Sequence, residues 1–187
     1  MKKSILFLCV IFVFYASLLP AQNNPALNLL NNHFAARAFT DGAVTRAELD
    51  QIIQAGIRAP SASNRQPWHF TVVQSEALVR QLVPQATGGN VLIVFSVPGD
   101  GLTNGPIILD SALAVQSMYL AAQALGLGSR IYTNSVTNIN RSFKPQLGIT
   151  DDRSAIAVIR IGRLPAGTDA VSSASPRHNT DRVVTYR

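Results

Sequence analysis

Ala59-Pro60-Ser61-Ala62-Ser63-Asn64-Arg65-Gln66-Pro67-Trp68-His69-Phe70 joins the end of one amphipathic segment to the start of an apolar, extended one. Its two prolines deny helical continuation and bias the residues before them towards extended backbone. Ser, Asn and Gln between them supply hydrogen-bond donors and acceptors without charge. Trp68 marks the entry to a strand. A rigid, polar loop of this kind suits a planar, heteroatom-rich ring better than a metal or a bare phosphate.

Upstream of the loop, Thr45 and Glu48 form a capping box. Leu49, Ile52, Ile53 and Ile57 then recur at helical spacing up to Pro60. Leu27, Leu30 and Phe34 predict an earlier helix over Asn24 to Phe34. Downstream, residues 69–74 read as a strand and Ser75 to Leu82 as a capped helix. Gly88-Gly89 breaks the chain before the apolar strand 90–97. After a turn-rich loop at 98–106, an almost wholly apolar helix runs from Asp110 to the Gly126-Leu127-Gly128 stop. A helix apolar all round must be buried on most sides, so this one is the expected core helix. Residues 129–133 and 153–163 read as strands and 136–147 as a helix. The tail turns polar until Val183 to Tyr186, which reads as a short extended piece. The pattern is α+β, in one domain. No G-x-G-x-x-G follows the first strand, which disfavours a Rossmann-type dinucleotide site.

The chain has 187 residues, a formal charge of +6 and a single cysteine. Lys2 and Lys3 precede an apolar run from Ile5 to Leu19, followed by Pro20 and Ala21. That order reads as a signal peptide over residues 1–21, cleaved to leave a domain over 22–187. The run is shorter than the ~20 residues that span a bilayer, so no stable membrane anchor is expected. Cleavage removes Cys9, and with it any disulfide, thiolate nucleophile or thiolate metal site. Subtracting Lys2 and Lys3 leaves +4, carried by Lys144 and 13 scattered arginines. With no basic run and no aromatic interleaving, no nucleic-acid footprint is visible. No metal site is expected.

The string A-P-S-A-S-N-R-Q-P-W at 59–68 resembles the flavin loop of the nitroreductase family. Further blocks match in order. They are His33 to Phe39, the helix Asp110 to Gly128 (D-x-A-x-A-x-Q-x-x-x-L-A-A-x-x-L-G-L-G), Arg130 to Asn134, and Ser175-Pro176-Arg177. The resemblance implies a central, mostly antiparallel sheet flanked by helices. It also implies a homodimer with FMN at the interface and the C-terminal segment of one subunit exchanged onto the other, Val183 to Tyr186 adding a strand. Carried over residue by residue, His33, Arg37 and Arg177 meet the FMN phosphate and ribityl chain. Pro60, Ser61, Ala62, Ser63, Asn64 and Gln66 come from the other subunit to line the isoalloxazine edge. Thr133 and Asn134 fall where a backbone N–H faces flavin N5.

The resemblance further implies ping-pong reduction of nitroaromatics, quinones or similar electron-poor small molecules, with NAD(P)H as donor. No side chain acts as nucleophile or general base, because the flavin carries the redox step. Three departures thin the phosphate end: His33 stands for an Arg, Ala35 for a Ser and Ser175 for a Lys. The region between Leu82 and Asn90 is too short to place the family's mid-chain flavin-contacting Asn, and the compact loop 98–106 predicts an open, shallow substrate site. An exported enzyme is also separated from cytosolic NAD(P)H. The alternative is therefore an exported flavin-binding protein without significant turnover.

Overall fold

A computed structural model describes residues 24–100, 103, 105–171 and 174–187. Residues 1–21, expected to be a signal peptide, lie outside the described residues.

Four strands form one antiparallel sheet in the order β1-β2-β4-β3: β1 His69–Val73, β2 Val91–Pro98, β3 Gly128–Tyr132 and β4 Arg153–Gly162. β2 and β4 pair from Val91↔Ile161 to Pro98↔Arg153, with a bulge between Phe95 and Ser96. Side chains alternate across a strand. Accordingly Val91, Ile93 and Phe95 enter one core with Ile159 and Ile161, while Leu92 and Val94 enter a second with Val158. Both faces are covered, which is why β2 reads as an unbroken apolar run.

Helix α1 (Pro25–Asn32) starts at Asn24, whose side chain accepts from the N–H groups of Ala26 and Leu27. In α2 (Arg46–Ile57) both halves of the expected capping box are made. Leu49 and Ile52 are buried, but Ile57 is exposed and does not belong to the core face. Helix α3 (Glu76–Leu82) follows β1. The central helix α4 (Gly105–Ala124) begins earlier than its expected start at Asp110. Pro106 is tolerated in its first turn, where an N–H is unpaired in any case. Gly126 ends this helical region at φ 74°, the left-handed conformation that glycine adopts freely.

Two segments depart from expectation. Residues 136–147 are not one helix but a turn of α5 (Val136–Asn138), a wide turn at Ile139–Phe143 and a tight one at Pro145–Leu147. Pro145 cannot continue a helix from within it, and the Asn140 side-chain amide donates to Ala155 O (2.9 Å) and accepts from Ala155 N (2.7 Å) beside the β2 bulge. Near the C-terminus, Val183 closes a helical turn, α6 (Thr180–Val183), and only from Val184 is the backbone extended. Val183, Val184 and Tyr186 are all exposed, so nothing in the protomer holds this segment in a sheet.

Candidate functional site

Helix α2 delivers the chain to Ala59, which is buried and fixes the start of the loop. Residues Ala62–Asn64 then make a single tight helical turn. Ser63, Asn64 and Gln66 have φ of 52°, 54° and 47°. Asn tolerates this left-handed region, but Ser and Gln rarely adopt it. Such residues cost about 1–3 kcal/mol each and persist only where surrounding contacts enforce them. Within the loop, Gln66 N donates to Ser61 Oγ (3.0 Å) and Gln66 Nε2 to Asn64 Oδ1 (3.0 Å). From α4, the buried Asp110 accepts from Ala62 N (2.9 Å) and from the Arg65 guanidinium (3.0 Å to Nη2). Arg153 closes the far end by donating to Pro67 O (2.9 Å) and Ser96 O (2.7 Å). Ala62 to Gln66 stay exposed, so the polar edge faces outward. Trp68 instead packs on the core and stacks on Phe70.

The second group of expected residues gathers at the other end of α4. Phe34 N donates to Gln123 Oε1 (3.1 Å), Gln123 Nε2 to Ser129 Oγ (3.0 Å), and Ser129 Oγ to Tyr119 O (2.8 Å). Ala36 N also bonds Ser129 O (3.0 Å), so the segment 33–37 is laced to both α4 and β3. His33 Nδ1 lies 3.4 Å from Tyr119 Oη, with the two rings edge to face. Burial and the nearby Arg177 charge hold His33 below its ordinary pKa of 6.5. Burial raises Tyr119, against a Gln123 hydrogen bond and the same Arg177 charge. Arg177 is thus within electrostatic reach of both. Arg37, Ala35 and Ser175 line a groove of about 300 Å³ with Pro165 and Thr168. Residues 33–37 and 175–177, far apart in sequence, meet here.

Thr133 and Asn134 are exposed just beyond β3. Thr133 borders an apolar hollow of about 360 Å³ with Ile108, Gln116, Ile131 and Ile156. From Ser129, beside Ala36, to Thr133 is about 13 Å at ~3.3 Å per residue. The cationic groove and the Thr133 hollow thus lie along one side of the same strand pair. The loop 60–66 is tied to the start of α4, whereas His33 meets its later turns. Asp110 and Tyr119 are about 14 Å apart along the axis at ~1.5 Å per residue.

Sequence reasoning missed Asp110 as a loop contact, and it missed Tyr119 and Gln123 altogether. Their signal was present. Asp110 is the one charge in α4, and Tyr119 and Gln123 are buried polar groups on a mostly apolar helix.

A sequence profile described as "Nitroreductase family" matches residues 31–93. An Archaeoglobus fulgidus protein, provisionally named an NADH dehydrogenase/NAD(P)H nitroreductase, is 27% identical over 169 residues, which is 84% of this chain and 95% of that protein. A Desulfovibrio desulfuricans protein, provisionally assigned as a nitroreductase and solved in complex with FMN, superposes with a TM-score of 0.72 at 27% identity. That match covers 89% of this chain and 99% of the other. A Desulfitobacterium hafniense nitroreductase solved with bound FMN gives the same TM-score at 20% identity, over 88% and 98% of the two chains. Sheet order, flanking helices, loop and profile agree: the chain shares the fold of these nitroreductases and is similar to the nitroreductase family over residues 31–93.

Proposed function

We propose that this protein is an FMN-dependent oxidoreductase that takes reducing equivalents from NAD(P)H and passes them, in a ping-pong cycle, to nitroaromatics, quinones or similar electron-poor rings. The observation that carries this reading is the convergence of residues 33–37 and 175–177 on one cationic groove, a strand's length from Thr133. The residues present fit the cofactor. A phosphate prefers guanidinium forks, and the groove offers Arg37 with Arg177 nearby; His33 stands close to Arg177 but is held mainly uncharged. The ring end would be held by Thr133 and Asn134, and by the polar edge of Pro60, Ser61, Ala62, Ser63, Asn64 and Gln66. FMN, when bound, supplies the redox chemistry, and the protein binds, orients and tunes it. A backbone N–H at 133–134 would favour negative charge on the ring. The exposed loop edge and the hollow lined by Ile108, Ile131 and Ile156 leave room for a flat substrate.

The working unit in this proposal is a homodimer. Leu109 and Leu113 are 63% and 38% exposed on α4, an apolar face that water does not favour. An antiparallel pairing of two α4 helices would set the loop at the start of one beside the later turns of the other. Each ring would then meet loop residues of the second protomer, and the exposed segment 183–186 would find a sheet edge there. β1, an outer strand of the sheet, offers one. We further propose export after cleavage near residue 21. N-terminal sequencing of the native protein tests this, and a start at Met1 or Lys2 would sink it.

The experiment for function is reduction and reoxidation of the purified protein. It should carry flavin absorbance, bleach with NAD(P)H or dithionite, and recover on adding a nitroaromatic or quinone. The thinned phosphate end, with Ala35 and Ser175 in the groove, favours the second reading of a flavin-binding protein without turnover. Reduction without reoxidation would select it. Colourless protein that cannot be reconstituted with FMN would defeat both.

A further inference from the structure

Asp110 is 3% exposed, yet it is the one charged residue in a 20-residue apolar helix. A carboxylate there loses its hydration on folding, and an apolar residue would avoid that cost. Its two oxygens are divided between different tasks. Oδ1 accepts the Ala62 backbone N–H at 2.9 Å, and Oδ2 accepts both Nε and Nη2 of Arg65 at 3.2 and 3.0 Å. One side chain thus grips both ends of the tight turn that carries Ser63 and Asn64. Those residues and Gln66 hold left-handed backbone that Ser and Gln do not favour, and their side chains are exposed. Contacts inside the loop run only between Ser61, Ala62, Asn64, Arg65 and Gln66. They shape the turn but do not fix where it points. Arg153 fixes the exit, through Pro67 O. The two ends of the turn are fixed from α4 by Asp110.

We propose that Asp110 is a positioning residue for the flavin ring: through Ala62 N–H and Arg65 it holds the 61–66 turn in the strained, outward-facing form that meets the isoalloxazine edge. This rests on the flavin reading above. Asp110 touches no ring itself. Its effect is to remove the ordering cost that a free loop would meet on binding, which is how preorganisation raises affinity. Pairing with Asp110 also compensates the Arg65 charge, so the loop presents a neutral, amide-rich edge.

The test compares two flavins on the full-length mature protein. FMN has ring and phosphate, and riboflavin has the ring without the phosphate. Asp110→Asn should weaken both by a common factor of about tenfold or more. Arg65→Gln, at a side chain 40% exposed and therefore tolerant of change, should weaken both by a smaller common factor. Arg177→Ala should weaken FMN by about tenfold or more and leave riboflavin unchanged. Amide hydrogen exchange in the flavin-free proteins should speed up across 61–66 in the first two variants and not in the third. A merely structural Asp110 would lower the melting temperature while the folded protein kept wild-type affinity for both flavins, and that result overturns the proposal. Should Asp110→Asn fail to fold, Arg65→Gln decides by the same criterion. Wild-type protein that takes up neither flavin overturns the flavin reading and this inference with it. Wild type that binds both, beside folded variants that bind them equally well, overturns this inference alone.

Discussion

His33 shows how a single residue joins stability to the ligand. Burial and Arg177 both disfavour its charged form, so its folded pKa lies below the 6.5 of the unfolded chain. Between those two values the unfolded state binds more protons than the folded one. Stability is therefore full above 6.5 and declines as pH falls through that window towards the folded pKa. The groups that face it are the Tyr119 hydroxyl and the Arg177 guanidinium. Melting temperature followed from about pH 7.5 to about pH 5 should slope downward on the acid side, and His33→Gln should flatten the slope. A phosphate dianion beside Arg177 would offset the repulsion, so FMN-loaded protein should lose less over the same range. An identical slope in the variant would place the titration on another group.

Among the elements, α2 and α4 are the pair that carries the loop 59–68. Gly56, in the last turn of α2, lies against Met118 so closely that a methyl group there would overlap Met118 Cε and sit 2.7 Å from its Cγ. Met118 is fully buried and has little space to retreat. Gly56→Ala should therefore destabilise by about 1–3 kcal/mol, the usual cost of overpacking, despite the better helix propensity of alanine. A thermal melt showing no loss would mean that the two helices slide apart freely. The strands were legible in the sequence because apolar runs between Gly, Pro and Asn clusters define them, and β2 is unbroken because both its faces are covered. The capping box at Thr45 and Glu48 was equally plain. By contrast, in the turns over 136–147 only the break at Pro145 had a local signal, while the Asn140 amide bonds a strand 15 residues on, which no local pattern records. Left-handed backbone at Ser63 and Gln66 was also illegible, because neither residue type announces it. What holds that backbone is Asp110, 48 residues beyond Ala62.

At the scale of the molecule, the apolar face of α4 is the feature a lone protomer leaves unfinished. If the proposed dimer forms through it, Leu113→Asp places a charge on that face, and sedimentation should show a dimer for the parent protein and a monomer for the variant. The same variant should lose FMN by much more than Arg65→Gln, because half of each ring site would be absent. A dimer that persists would move the interface elsewhere. The groove and loop at opposite ends of one helix were recognisable in the sequence as separate motifs, but their distance was not, since it depends on the antiparallel return of β3 along α4. In the proposed dimer that distance also couples two equilibria. With a site divided between protomers, association and flavin uptake must strengthen each other by the same factor. Dilution should therefore strip the flavin even at a fixed excess of cofactor, and added flavin should hold dilute subunits together. Were the protein exported as proposed, the supply of cofactor would then set how much of it is assembled at all.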